Sequence, residues 1–361
     1  MVQTPHSRPF IGICTDWYKG FFPPKNTWSI LRVGRLLPAN FYLYSPRHIN
    51  WHTRRVQGYT VAAKGSKGAL VRHNFPLPKV VYNRISTRRL EGSTAFRAMV
   101  HRFHQLGIKM FNPRFFNKAE IHHCLSLNSY LSHHLPRTYT GFSPQILAIA
   151  LSRYPAIFVK RRHGSLGVGV VKVVKANSGY YLCYRVGRQN KARLASNLKQ
   201  LYSRLLPLVG RGAIVQQAIS LSRYHGRVFD IRVLMQRNAQ GKWVQTHSFA
   251  KVAAPGSVAS NVAAGGSVVN ANTALQHAFP QLQRRQHLKQ QLHQVCQRIM
   301  QQLSSRFTYL GEAGIDIGID GSGRVWIIEV NAKYSRHVFP RNIRFLSIQR
   351  PLTYALRLAR R

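Results

Sequence analysis

The chain has 361 residues, 45% of them hydrophobic and 11% aromatic, which is enough apolar matter for two or three cored lobes and excludes a disordered basic tail. Its 54 Lys+Arg against 8 Asp+Glu leave a formal charge of +46. Few of these cations can find an internal partner, so outside anions must offset the self-repulsion, unless the surface is simply adapted to an anion-rich setting.

In chain order, residues 1–110 alternate short strands and helices. FIGICT (10–15), NFYLYSP (40–46) and KVVYNRI (79–85) read as strands, 58–78 is rich in loop residues, and a helix is expected over about 90–107, ending at Gly107. This pattern predicts a small N-terminal α/β domain. A second domain, 111–361, opens with a helix over 118–134. AIFVK (156–160), a glycine-rich turn (163–169) and VVKVVK (170–175) then read as strand–loop–strand. AIVQQAI (213–219) is another strand. VFDIRVLMQ (228–236) and KWVQTHSFAKVA (242–253) read as a hairpin, and 257–274, poor in large side chains, reads as a mobile loop. Leu288, Leu292, Val295, Ile299 and Leu303 mark an amphipathic helix over 282–303. GIDIGID and RVWIIEVN close the pattern as a second hairpin around DGSG (320–323).

Acidic residues are so scarce that their positions carry information. Glu312, Asp316, Asp320 and Glu329 fall within 18 residues. Strand alternation puts Asp316 opposite the Ile315, Ile317 and Ile319 face. In VWIIEVN it sets Trp326, Ile328 and Val330 on one face, and Ile327, Glu329 and Asn331 on the other. If the polar faces pair, Asp316, Glu329 and Asn331 converge as hard oxygen donors suited to Mg²⁺. The plainer reading is pairing with arginines or turn capping, which is the expectation for Asp320.

In HGSLGVG (163–169), after Lys160, Gly164, Gly167 and Gly169 would let backbone N–H groups approach phosphate oxygens. No Walker-type Gly-Lys-Ser/Thr follows, and a glycine-rich hairpin is common in its own right. Asp230 and Arg232 share one strand face. They read either as a local ion pair or as an arginine that meets a carboxylate or phosphoryl group, oriented by the aspartate.

The order Lys118, Lys160–HGSLGVG, VQQAI, FDIRVL, GIDIGID…WIIEVN resembles the ATP-grasp superfamily. VVYNRISTR (80–88), the 116–138 stretch, FDIRVL and SNVAAGG (260–266) are similar to its YheC/YheD-type spore-coat-associated family. The resemblance implies an ATP-grasp fold whose two lobes hinge near 213–221, behind the N-terminal α/β domain. It implies that Lys118, Lys160 and the loop with Gly164, Ser165, Gly167 and Gly169 contact ATP phosphates. Gln216, Gln217 and Ile219 would lie along the adenine, and Asp316, Glu329 and Asn331 would hold Mg²⁺. Arg232, Asp230 and Lys251 would form the catalytic set, with Asn261 and Arg336 on the substrate side. Two departures stand out: Gln216-Gln217 replaces the usual acidic hinge residue, and NAKYSR lacks the Pro-Gly often found after the metal-binding Asn.

The implied activity is an ATP-dependent carboxylate–amine ligase acting through an acyl phosphate. Its partners would be a carboxylate, an amine and, through the +46 surface, a polyanion. The alternative is a silent structural or polyanion-binding protein of the spore. Four separated cysteines without CxxC suggest free thiols, no apolar run reaches the ~18–20 residues of a membrane span, and no signal-peptide pattern is seen. The expectation is a cytoplasmic protein, and the resemblance extends it to the spore or spore coat.

Overall fold

Apolar and aromatic runs bounded by turn residues become the first sheet. The computed structural model describes residues 8–17, 23, 27–62, 69–164, 169–187, 189–257 and 265–361. β1 (Phe10–Cys14) is followed by α1 (Trp28–Gly34), β2 (Asn40–Tyr44), β3 (Ile49–Asn50), β4 (Arg55–Val61), β5 (Leu70–Pro76) and β6 (Val80–Asn83). Two helices, α2 (Arg88–Glu91) and α3 (Thr94–Gln105), lead into β7 (Lys109–Phe111). The sheet order is β3-β4-β2-β1-β6-β7, with β5 on β4, and β1 runs parallel to β2 and β6. Both faces are covered, which is why residues 11–14 of β1 and Val80–Asn83 of β6 are buried throughout rather than alternating. Gly107 takes φ +68°, the left-handed position that lets the chain turn out of α3.

The helix expected over 118–134 is two: α4 (Lys118–Ser126) and α5 (Ser129–Ser132). The break falls at Asn128, whose side-chain oxygen accepts the Leu131 N–H at 3.1 Å and starts a new helix. The second sheet follows, from β8 (Thr138–Tyr139), α6 (Pro144–Arg153), β9 (Ala156–Lys160), β10 (Val170–Ala176), β11 (Gly179–Val186), β12 (Gln189–Ala195), α7 (Leu198–Val209) and β13 (Ile214–Gln217), in the order β12-β11-β10-β9-β13-β8. Ile157, Val159, Val171, Val173 and Leu182 pack with residues of α6 and α7 on one face. By alternation Phe158 and Lys160, paired with Gln216 and Ile214, lie on the other.

The third sheet is built from β14 (Arg223–Tyr224), β15 (Arg227–Arg237), β16 (Trp243–Val252) and β17 (Ser267–Asn270), then, after α8 (Ala271–Ala278) and α9 (Leu282–Arg306), β18 (Glu312–Ile319) and β19 (Val325–Asn331). Its order is β17-β16-β15-β18-β19, with β14 on β15. Residues of α4, α5, α8 and α9 pack on the face that carries Ile231, Val233, Ile315 and Ile317. The loop expected over 257–274 is corrected at its far end. β17 pairs with β16 despite its small side chains, and the Asn270 side chain caps α8, accepting the Asn272 N–H at 2.8 Å. Residues 258–264 lie outside the described set. The last helix, α10 (Arg341–Arg360), returns to the first sheet, where Ile348, Leu352 and Ala355 join Ile11, Ile13 and Val80 in one core.

Simple alternation fails in β16, where the register against β15 shifts between Leu234 and Met235, and, next to the acidic residues, in β19. The register shifts between Asp316 and Ile317, so Asp316 pairs with Glu329 while Ile317 pairs with Ile327. The extra residue, Ile328, is a β-bulge. It sends Ile327 into the core with Val325 and leaves Ile328 beside Glu329 on the opposite face.

Candidate functional site

β15 places Phe229, Ile231 and Val233 in the core, so Asp230 and Arg232 face the other way, as do Gly314 and Asp316 of β18. The ladder then aligns the charges: Asp230 pairs with Lys251, Arg232 with Asp316, and Asp316 with Glu329. Arg232 grips Asp316 with two parallel bonds, the Nη2–Oδ2 contact being 2.8 Å. Lys251 Nζ bridges the two aspartates, 3.0 Å from Asp230 Oδ1 and 2.9 Å from Asp316 Oδ1. Burial alone would raise the Asp316 carboxyl. The Arg232 and Lys251 charges overrule it and hold that carboxyl well below the usual range. The same partners keep both cations protonated against the pull of burial.

On the neighbouring strand Glu329 pairs with Lys118, the first residue of α4. Across the cleft Lys160, at the end of β9, donates to Gln216 Oε1 at 2.6 Å, and Gln216 in turn donates to Thr138 Oγ1 at 2.9 Å. Burial, and next the Lys118 ammonium, lower Lys160 to about 8. Lys118, Gln216, Ile328 and Glu329 line a small cavity with Ile121 and His122, between α4, β13 and β19. Gln217 is engaged elsewhere, its backbone N–H and side-chain oxygen both bonded to Arg137. Ile219 is half-buried just past β13.

Gly164 and Gly169 flank the glycine-rich turn. Gly169 has φ +70°, a backbone conformation that favours glycine; its carbonyl accepts the Arg161 N–H at 2.9 Å, and a Cβ there would also run into the Arg161 side chain. Ser165, Gly167 and Asn261 lie outside the described residues. Asn331 ends β19 opposite Gly314, two residues from Glu329. Arg336 sits apart from the Asp316 row. It donates to Glu312 Oε2 at 3.1 Å and to Tyr82 Oη at 2.8 Å in a buried knot that joins the first and third sheets.

Glu312 is the centre of that knot. Tyr82 at 2.5 Å, Tyr334 at 2.6 Å, Gln236 at 2.9 Å and Arg84 at 3.1 Å also donate to it. Arg336 and Arg84 hold its carboxyl low although burial works against them. Asp320 caps its turn as expected, accepting the Ser322 and Arg324 N–H groups at 3.0 Å. Sequence reasoning missed Ile328, which only the bulge brings to the cleft, and Phe158, whose place two residues before Lys160 on one strand face was a usable signal.

The donor set suits a small hard cation. Two carboxylates face each other across one ladder and an amide follows, all offering oxygen. Among the described residues no three His, Cys, Asp or Glu side chains gather around one point, so any cation held here would need further oxygens from a bound ligand. Lysine and arginine now neutralise both carboxylates.

Against known proteins, the YheC/D-like ATP-grasp family matches residues 107–358. Endospore coat-associated protein YheD of Bacillus subtilis (strain 168) is 25% identical over 308 residues, covering 82% of this chain and 65% of its own length. Endospore coat-associated protein YheC of the same organism is 21% identical over 222 residues, covering 61% and 60%. The chain thus spans a little under two thirds of each relative. Among solved structures, VanG D-Ala:D-Ser ligase from Enterococcus faecalis superposes with a TM-score of 0.52 at 10% identity, covering 98% of this chain and 99% of that one. N5-carboxyaminoimidazole synthase from Aspergillus clavatus, in complex with ADP and 5-aminoimidazole ribonucleotide, gives 0.52 at 9% identity, covering 91% of this chain and 71% of that one. At such identities the likeness is one of fold.

Proposed function

Because this chain belongs to the YheC/D-like ATP-grasp family, we propose that it binds Mg-ATP between its second and third sheets and joins a carboxylate to an amine. The reading is supported above all by the ladder that sets Asp316 directly against Glu329, with Lys118 and Lys160 on the facing elements. Asp316, Glu329 and Asn331 would hold the magnesium, which would supply neutralisation of phosphate charge. Lys118 would leave Glu329 for the phosphates, and Lys160 would meet them from β9. Ile328 and Phe158 would offer apolar surface to the adenine beside Gln216, with Gln217 and Ile219 at the hinge.

In the reaction a substrate carboxylate oxygen attacks the γ-phosphorus, and ADP leaves with the electron pair of the broken P–O bond. The amine then attacks the acyl carbon, phosphate departs, and the nitrogen loses a proton. Arg232 would take the charge of the transferring group, with Asp230 and Lys251 fixing its direction through the bridge they share with Asp316. The backbone around Gly164 and Gly169 would close over the phosphates, excluding water from the acyl phosphate. By likeness to its relatives, the protein would work at the spore coat.

The test is magnesium-dependent stabilisation by ATP against heat, followed by ADP release in a screen of carboxylates and amines. Glu329→Gln is expected to abolish both while leaving the fold intact. ATP binding that is unaffected by magnesium and by this substitution would overturn the reading. A silent, structural ATP-grasp protein is the second reading, favoured by the Arg232 and Lys251 contacts that already occupy Asp316. It predicts nucleotide binding at most, with no ADP release for any substrate pair.

A further inference from the structure

Not one of the eight carboxylates is exposed. Asp16 accepts from the Ser86 N–H, Asp320 caps a turn, and Glu91, Glu120, Asp230, Glu312, Asp316 and Glu329 all pair with lysine or arginine. Apart from Glu120, which pairs with the exposed Arg114 and with Arg306 at the end of α9, the acids are spent on the site, the turns and the joints between sheets, and they leave most of the surface cations unbalanced.

α9 displays this most clearly. It buries Leu288, Leu292, Val295, Ile299 and Leu303 and turns its other side to solvent. A solvated helix face ordinarily mixes glutamate with lysine, gaining i,i+4 pairs and solubility. Here eight of 25 residues are glutamine, none is acidic, and the cations are Arg284, Arg285, Lys289, Arg298 and Arg306. Arg284, Lys289 and Arg298 are exposed, on either side of the exposed Gln290 and Gln294. At ~1.5 Å per residue the helix is roughly 37 Å long, close to the ~34 Å of one duplex turn. All of its outward charged and amide groups can donate hydrogen bonds, and none carries a negative charge to repel a phosphate.

From this we propose that the exposed face of α9 is a docking surface for the phosphodiester backbone of double-stranded nucleic acid. The composition selects phosphate over a carboxylate polymer. The chain carries 38 arginines to 16 lysines, and the guanidinium fork matches phosphate oxygens two at a time where lysine offers a point charge. The binding is read through charge and shape and is indifferent to base sequence. It is independent of the nucleotide site, which lies on the opposite face of the third sheet.

The experiment is fluorescence anisotropy of a labelled ~20-base-pair duplex at several salt concentrations, using the full chain. Triple substitution Arg284→Gln, Lys289→Gln, Arg298→Gln is expected to weaken binding at least tenfold and to lower the slope of log K against log salt by about 2 to 3, since each lost phosphate contact removes about 0.9. The charge-conserving triple Arg284→Lys, Lys289→Arg, Arg298→Lys should retain most of the affinity and guards against a folding defect. A control of equal charge change on α3 and just before it, Arg89→Gln, Arg97→Gln, Arg102→Gln, should leave the slope within about 1 of the wild type. Equal loss in the α9 and control charge-removing triples, a wild-type chain that does not bind the duplex, or tighter binding to polyglutamate of the same charge would each overturn the proposal.

Discussion

Lys160 is the residue whose environment makes the sharpest forecast. Burial brings it from its ordinary 10.5 to about 8. Between those values the unfolded chain holds a proton that the folded chain has lost, so stability rises with pH across that window, while below it the cost of the buried ammonium is present in full and does not vary with pH. A phosphate arriving beside Lys160 favours the ammonium and calls the proton back. Binding of Mg-ATP near pH 8.5 should therefore take up a fraction of a proton, seen in calorimetry as a heat that varies with the buffer's ionisation enthalpy. Equal heats in all buffers would remove Lys160 from the phosphate site. Glu312 makes a different forecast. Glu312→Ala leaves Arg84 and Arg336 buried without their counter-charge, and should cost about 3–5 kcal/mol in a denaturant titration. A loss below 1 kcal/mol would show that water reaches the knot.

Among the elements, the long helix α9 and the β18–β19 hairpin were legible in the sequence for opposite reasons. Leu288, Leu292, Val295, Ile299 and Leu303 recur at helical spacing over a length no strand would have. GIDIGID alternates because one face of β18 is core. Truncating Leu303, fully buried in the third-sheet core, to alanine should destabilise the chain by about 2–5 kcal/mol, measured by thermal or chemical unfolding. The bulge at Ile328 left no mark in the sequence, because a run of Trp326, Ile327 and Ile328 offers two equally apolar registers. Ladder pairing with Asp316 chose between them. The split between α4 and α5 was visible only in Asn128, one polar residue among several. β17 was hidden because Ser267, Val268, Val269 and Asn270 bury little by themselves and rely on β16 for their pairing.

At the scale of the whole molecule, the +46 charge acts against the fold that the cores of the three sheets maintain. Raising salt from about 0.02 to 0.3 M shortens the screening length severalfold and should raise the melting temperature, with sulfate acting more strongly than chloride at equal ionic strength. A melting temperature that falls with salt would mean that the internal ion pairs outweigh the surface repulsion. Chain connectivity also matters at this scale. α10, last in sequence, completes the core of the first sheet, and Glu312 is bonded from Tyr82 of β6, Gln236 of β15 and Arg336 after β19. The unit that begins the chain is thereby tied to its end.

By itself the sequence determined most of the alternation of elements and the acidic scarcity that singled out Asp316 and Glu329. Those are local or compositional facts, and period, spacing and residue type express them directly. Only the tertiary structure decided that Asp316 lies opposite Glu329 with Ile328 bulged between registers, that Lys118 from helix α4 and Lys160 from strand β9 reach the same cleft, and that Arg336 joins Glu312 instead of the Asp316 row. Each of these depends on contacts between residues far apart in the chain, where register and lobe packing, which no short window encodes, choose among partners of equal chemistry.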